Sequence, residues 1–231
     1  MKKTKSLTGA LILGIGLVLG VGTAFAEESH EHFPSLTAQW WQFAISIPTA
    51  VNPLVDSTGA DCVVGQRGQV WFLAGTFFGG TVTRNCSIPA GVALFFPVIN
   101  SVQINTPNVC GQTGSLSVSD LRALSAPFID AATNLSVQVD GKPVEDLFRV
   151  KSNVFATTFP ADNIFNAPCA GAGLGAVPAA VYSPSVDDGF YVLLKPLSVG
   201  SHTLHILSEV PSQGFSLDVT YDLTIVAVQL K

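Results

Sequence analysis

The hydrophobic pattern along the chain changes period once, near residue 69. Before it, Leu36, Trp40, Phe43 and Ile47 fall at spacings of four, three and four. That is one stripe of an α-helix, with Ser35 placed to cap its start and Pro48 to stop it. After a Gly/Asp/Pro-rich loop over 48–68, short runs suited to strands take over. Residues 69–74 (QVWFLA) and 92–99 (VALFFPVI) are apolar on both faces, as central strands are, with Pro97 expected at a strand end or bulge. Residues 81–88 alternate, with Val82, Arg84, Cys86 and Ile88 on the inward side.

A polar loop over 101–117 leads to a short helix that starts at Ser119-Asp120 and ends near Ala132. Its stripe is Leu121, Leu124, Phe128 and Ile129, with Pro127 inside it. Asp140-Gly141 between 134–139 and 142–150 is a hairpin signal. Further strands are predicted at 155–159, 189–195, 201–208 and 216–228, with a long Gly/Ala/Pro-rich loop over 160–186. In the last strand Leu217, Val219, Tyr221, Leu223, Ile225 and Ala227 share one face, and Asp218, Thr220, Asp222 and Thr224 the other. The expected fold is mostly β: a single-domain antiparallel β-sandwich or jelly roll with one or two short helices.

The N-terminus changes the picture of where this fold works. Lys2, Lys3 and Lys5 precede an apolar run over 10–21 and the small-x-small site Ala24-Phe25-Ala26. This is the pattern of a cleaved signal peptide over 1–26, followed by a polar tail over 27–34 and one β-rich domain over 35–231. The expected product is secreted or periplasmic, with no membrane insertion after cleavage. Cys62, Cys86, Cys110 and Cys169 lie in the exported part and match no zinc spacing, so two disulfides are expected. Three pairings are possible; Cys62–Cys86 with Cys110–Cys169 is preferred. The chain carries a net charge of −5 and no basic stripe, which argues against nucleic acid as a partner. Charged residues are only 12% against 48% apolar, so the core is large and the surface is mostly uncharged polar.

Several motifs carry a resemblance. They are Trp40-Trp41-Gln42, Asn52-Pro53, Asp56-x-Thr58-Gly59, Cys62-x-x-Gly65-Gln66, the run 70–75 (VWFLAG), Cys86-x-Ile88-Pro89-x-Gly91 and Phe95-Phe96-Pro97. On these the chain resembles a family of secreted bacterial proteins with no assigned activity. Gly200-x-His202-Thr203-Leu204 and the strand after it resemble the closing strands of bacterial immunoglobulin-like domains. The resemblance implies no chemistry, so the residues speak for themselves.

Arg84 is the most informative of them, because an arginine among core positions requires an anionic partner or an anionic ligand. Asp56 and Asp61 lie in the loop that a Cys62–Cys86 bridge would bring to it. Trp41 sits about 100° round the helix from the stripe; large aromatics seldom stay exposed, so it is expected to pack, but if exposed it would stack on a sugar ring. Asp56, Thr58 and Asp61 are oxygen ligands suited to Ca2+, although Asp and Gly also simply make turns. His30 and His32 share a side if the tail is extended and are weak metal candidates. His202 and His205, three apart in a strand, face opposite ways and cannot share an ion. No cofactor is otherwise implied, and a Ser/His/Asp triad is left to geometry. The leading expectation is a secreted non-catalytic binding module for a glycan, cell-surface component or protein. The alternatives are an extracellular hydrolase or lyase using Arg84 with loop carboxylates, and a structural envelope protein.

Overall fold

The computed structural model describes residues 21–228, with side chains from residue 32 onward. The basic n-region and nearly all of the apolar run of the leader lie outside the described residues. The chain divides into two units, Met1–His32 and Phe33–Lys231. What is described of the first unit is helical backbone, the opening of α1 (Val21–Ser46). Residues 27–34 are therefore helical where a polar tail was expected. Ser35 lies inside the helix instead of capping it, its hydroxyl accepting from the Gln39 side chain at 3.0 Å. The stop before Pro48 is as expected. It is sealed by Asn52, whose amide donates to the carbonyls of Ala44 and Ile47, both at 2.8 Å. That is the work of the Asn in the Asn52-Pro53 motif: it satisfies two carbonyls left open at a helix end.

The second unit is a two-sheet β structure. One sheet runs β1 (Val70–Phe72), β3 (Ala93–Ile104), β8 (Ala180–Leu194) and β6 (Phe148–Lys151), and β7 (Phe155–Phe159) also pairs with β8. The other runs β2 (Gly80–Pro89), β10 (Phe215–Val226), β9 (Gly200–Val210), β4 (Thr133–Val139) and β5 (Lys142–Pro143). The sandwich is as expected, and most pairings are antiparallel. Each sheet nevertheless holds one parallel pair, β1 with β3 and β2 with β10. The β2–β10 pair joins strands distant in sequence, which no turn motif can announce.

Two cores explain the doubly apolar runs. Leu94, Phe96 and Val98 of β3 point between the sheets with Leu204, Val219 and Ile225. Phe95, from the same strand, points to the opposite face, where Trp40 and Phe43 of α1, with Ile47 just beyond it, cover the sheet. Alternate side chains of one strand thus enter different cores, so no polar face is needed. The register of β3 on β8 shifts between Pro97 and Ile99, where a bulge was expected.

Other elements depart from the expectation by degrees. The helix α2 (Val118–Asp130) starts one residue early, because Ser117 and Asp120 form a reciprocal capping box. The hairpin at Asp140-Gly141 forms with positive φ at both residues, 53° and 72°. Its second arm breaks, however, so residues 142–151 supply β5 to one sheet and β6 to the other. The long loop over 160–186 is shortened by a helix, α3 (Asn166–Gly171), and by the early start of β8 at Ala180. In β10 the alternation holds through Ile225, and Ala227 lies beyond the strand, exposed.

Candidate functional site

Both disulfides form in the preferred pairing. Cys62–Cys86 and Cys110–Cys169 have Cα separations of 6.0 and 5.4 Å. The first fastens the 48–68 loop onto β2, two residues from Arg84. Arg84 is 1% exposed, so the inward assignment holds. Its partners differ from the expectation. Nε donates to the main-chain oxygen of Asp56 at 2.7 Å. One terminal nitrogen, Nη1, donates to the carbonyls of Ala74 (2.7 Å) and Gly75 (2.9 Å) and to the Tyr221 hydroxyl (2.9 Å). The other, Nη2, is buried without a partner. Among the described residues no carboxylate lies within 4.0 Å of the guanidinium.

The expected ion pair with Asp56 or Asp61 is therefore replaced by a cage of carbonyls, for a local reason. The Asp56 carboxylate is consumed by its own turn. Oδ1 accepts from the Thr58 N–H (2.8 Å) and hydroxyl (2.9 Å), and Oδ2 from the Asp61 N–H (3.0 Å). Burial pushes its pKa up, but these donors and the more distant Arg84 charge hold it below the usual carboxylate range. The same bonds engage the Asp56 carboxylate and the Thr58 hydroxyl within the turn itself. Among the described residues no three His, Cys, Asp or Glu side chains are grouped to hold a metal. His30 and His32 lie on helical backbone, where positions two apart are about 200° round the axis, so the shared side of an extended tail is lost. The His30 side chain is outside the described residues.

Trp41 is buried, at 5% exposure, and offers no face to solvent for a sugar ring. Its indole N–H donates to Asp187 at 2.7 Å. Helix α1 is covered on more sides than its stripe implied, since Trp41, Ala44 and Ile45 are buried beside Trp40 and Phe43. One edge of Trp41 lines a cavity of about 340 Å3 walled by aromatic side chains, including Phe77, Phe128, Phe165 and Phe215. Polar groups enter it from Thr76, Asn100 and Ser101.

Behind that wall lies a polar chain that the sequence reading missed. The Tyr191 hydroxyl donates to Asp187 at 2.8 Å, and the Asn100 amide donates to Tyr191 at 3.0 Å. Asp187 is fully buried. Burial pushes its carboxyl well above the usual range, against the pull of the Tyr191 and Trp41 hydrogen bonds; Asp188 adds to the rise and Arg122 opposes it. Asp188, beside it, is held by a bidentate Arg149, which also reaches Asp130 at 2.7 Å. In sequence Asp187-Asp188-Gly189 reads as a turn; only its place inside a 15-residue strand makes it core.

A second cleft of about 310 Å3 shares Leu54, Thr76 and Phe77 with the cavity and is lined also by Arg84 and the exposed Phe78. Like Arg84 Nη2, the hydroxyl of Thr76 is buried without a partner.

At the far end of β9, three residues have the order of a triad. His202 Nδ1 meets Asp140 Oδ2 at 2.8 Å, and Nε2 meets the Ser198 hydroxyl at 3.1 Å. Nε2 also lies 2.9 Å from the Ser198 carbonyl, which can only accept. Nε2 must therefore carry a proton, and it cannot take one from the serine. The Asp140 and Ser198 bonds accordingly hold the imidazole pKa above its usual value. This is a hydrogen-bonded clamp on a turn. His205 faces away and pairs with Asp218 at 2.8 Å, so the two histidines are separate, as their spacing requires.

Among the described residues no helix is long and apolar enough to cross a membrane. No protein-family model matches the chain, nor does any curated protein or solved structure, so its chemistry rests on the geometry above.

Proposed function

We propose that this chain is an exported, non-catalytic binding module that takes a compact ligand with an apolar body into the cavity beside Trp41. The observation that carries the reading is the cavity: about 340 Å3, walled by aromatic rings, with a few polar groups converging from Thr76, Asn100 and Ser101. A mainly apolar, partly enclosed space with sparse polar anchors is the common form of a small-molecule site. Export is the part of the proposal that rests on the leader pattern, and the two disulfides are compatible with it. A glycan is less well supported, since the Trp41 face that would stack on it is buried. A hydrolase or lyase using Arg84 with Asp56 or Asp61 is also less well supported, because the Asp56 carboxylate is engaged by its own turn and Arg84 by carbonyls. A purely structural role would leave the cavity without a purpose.

Titration of the purified protein with the neutral fluorescent probe N-phenyl-1-naphthylamine tests this. Saturable binding is expected, and it should weaken by about tenfold in Ser101→Phe, which fills the cavity from a partly exposed position. The urea midpoint of that variant should match the parent. No saturable binding, or equal binding by the variant, would defeat the proposal.

A further inference from the structure

We infer that the ligand of this module is an organic carboxylic acid, its carboxylate seated on Arg84 and Thr76 and its apolar body in the aromatic cavity. The inference rests on the cavity reading above and adds the identity of the polar anchor.

A guanidinium that is 1% exposed and has no carboxylate within ion-pair distance among the described residues is a costly arrangement. Four acceptors, three carbonyls and a phenol, stabilise part of it. They solvate the cation without neutralising it. The ring of Tyr221, 5.5 Å from the guanidinium carbon, does the same. One nitrogen, Nη2, is left with both N–H groups unspent.

Thr76 has the matching defect, a buried hydroxyl with no partner. Both residues line the same cleft. Two unspent donors on residues that line one cleft, one of them carrying a positive charge, call for an oxyanion acceptor, and a planar two-oxygen carboxylate matches two donor groups better than a three-oxygen phosphate. The walls supply the rest of the ligand. Leu54, Thr76 and Phe77 line both this cleft and the aromatic cavity, so the two are neighbours and the ligand's apolar body would lie beside its carboxylate. An acid of that shape completes a charge balance the protein leaves open and removes apolar area from water.

Matched probes test it. The purified protein is titrated with 2-naphthoate and with 2-naphthamide, which differ in charge and hardly in shape. The acid is expected to bind about tenfold more tightly, the scale of a charge-assisted hydrogen bond. Thr76→Val, which removes the hydroxyl and keeps the shape, should weaken binding of the acid more than that of the amide and so reduce the preference. Arg84→Met should abolish the preference; if it fails to fold, Thr76→Val and the probe pair still decide. Equal affinity for acid and amide would overturn the carboxylate anchor and leave the cavity standing. Binding of neither probe would bring down the cavity reading and the anchor with it. Tighter binding of 2-naphthyl phosphate than of the acid would overturn the choice of carboxylate.

Discussion

Arg84 and Asp187 are both charged residues in apolar surroundings, and the protein treats them in opposite ways. Arg84 cannot shed its charge, so main-chain dipoles gather round it. Asp187 can, and burial drives it toward the neutral form. The pH dependence follows from the sign of that shift. The folded protein keeps the Asp187 proton to a higher pH than the unfolded chain, whose aspartates titrate near ~3.9. Between those two values the native state binds more protons, so stability falls as pH rises. Asp187→Asn removes the titration. Relative to this variant, the parent should therefore lose stability as pH rises above the unfolded aspartate value, as read from urea midpoints at each pH. Parallel profiles for the two proteins would show that Asp187 is not shifted upward. Position 187 gave no sign of this in the sequence, because an acidic pair before a glycine has the composition of a surface turn.

The loop over 48–68 was legible as a loop, and several of its motif residues now have reasons that belong to neighbouring elements. Gln66 pairs with both main-chain groups of Phe72, extending the short edge strand β1 with a side chain. Gly59 has φ +90°, and a Cβ there would collide with the backbone of Asn85 in β2. The close approach lets the Thr58 carbonyl accept from the Asn85 N–H at 2.9 Å, which lays the loop along the edge of the sheet. Gly59→Ala is therefore expected to cost ~2 kcal/mol or more, combining strain with backbone displacement. Gly68→Ala, also at positive φ but with open space around its Cβ, should cost less, in the range of backbone strain alone. Chemical denaturation of the two variants would show the difference, and equal losses would mean that the Asn85 contact does not matter. The α1 stripe predicted the helix and its main buried face. The stripe alone leaves Trp41 on its flank; the tendency of large aromatics to pack points to its burial, and what packs on the helix's flanks decides it.

At the scale of the molecule, two cores on either side of one sheet are held with two covalent ties. Each disulfide fixes a segment that lacks regular structure to a strand or helix: the 48–68 loop to β2, and the 105–117 loop to α3. Paired alanine substitution of Cys62 and Cys86 should destabilise by ~2–4 kcal/mol through the freed unfolded chain. It should also loosen the Asp56 carbonyl from Arg84, so acid binding should weaken more than in the Cys110/Cys169 pair variant. Urea unfolding and 2-naphthoate titration of both variants check this; equal loss of binding would detach the first disulfide from the site. The β-rich class, most strand positions, the inward side of β2 and β10 and the even set of cysteines were legible along the chain. These follow from period, turn chemistry and composition, which act between near neighbours. The parallel β2–β10 pairing, the division of 142–151 between two sheets, the burial of Asp187 and the replacement of an Arg84 ion pair by carbonyls emerge in the folded chain alone. Each of those depends on groups far apart in the chain meeting in a low-dielectric interior, where desolvation is set by what arrives from elsewhere.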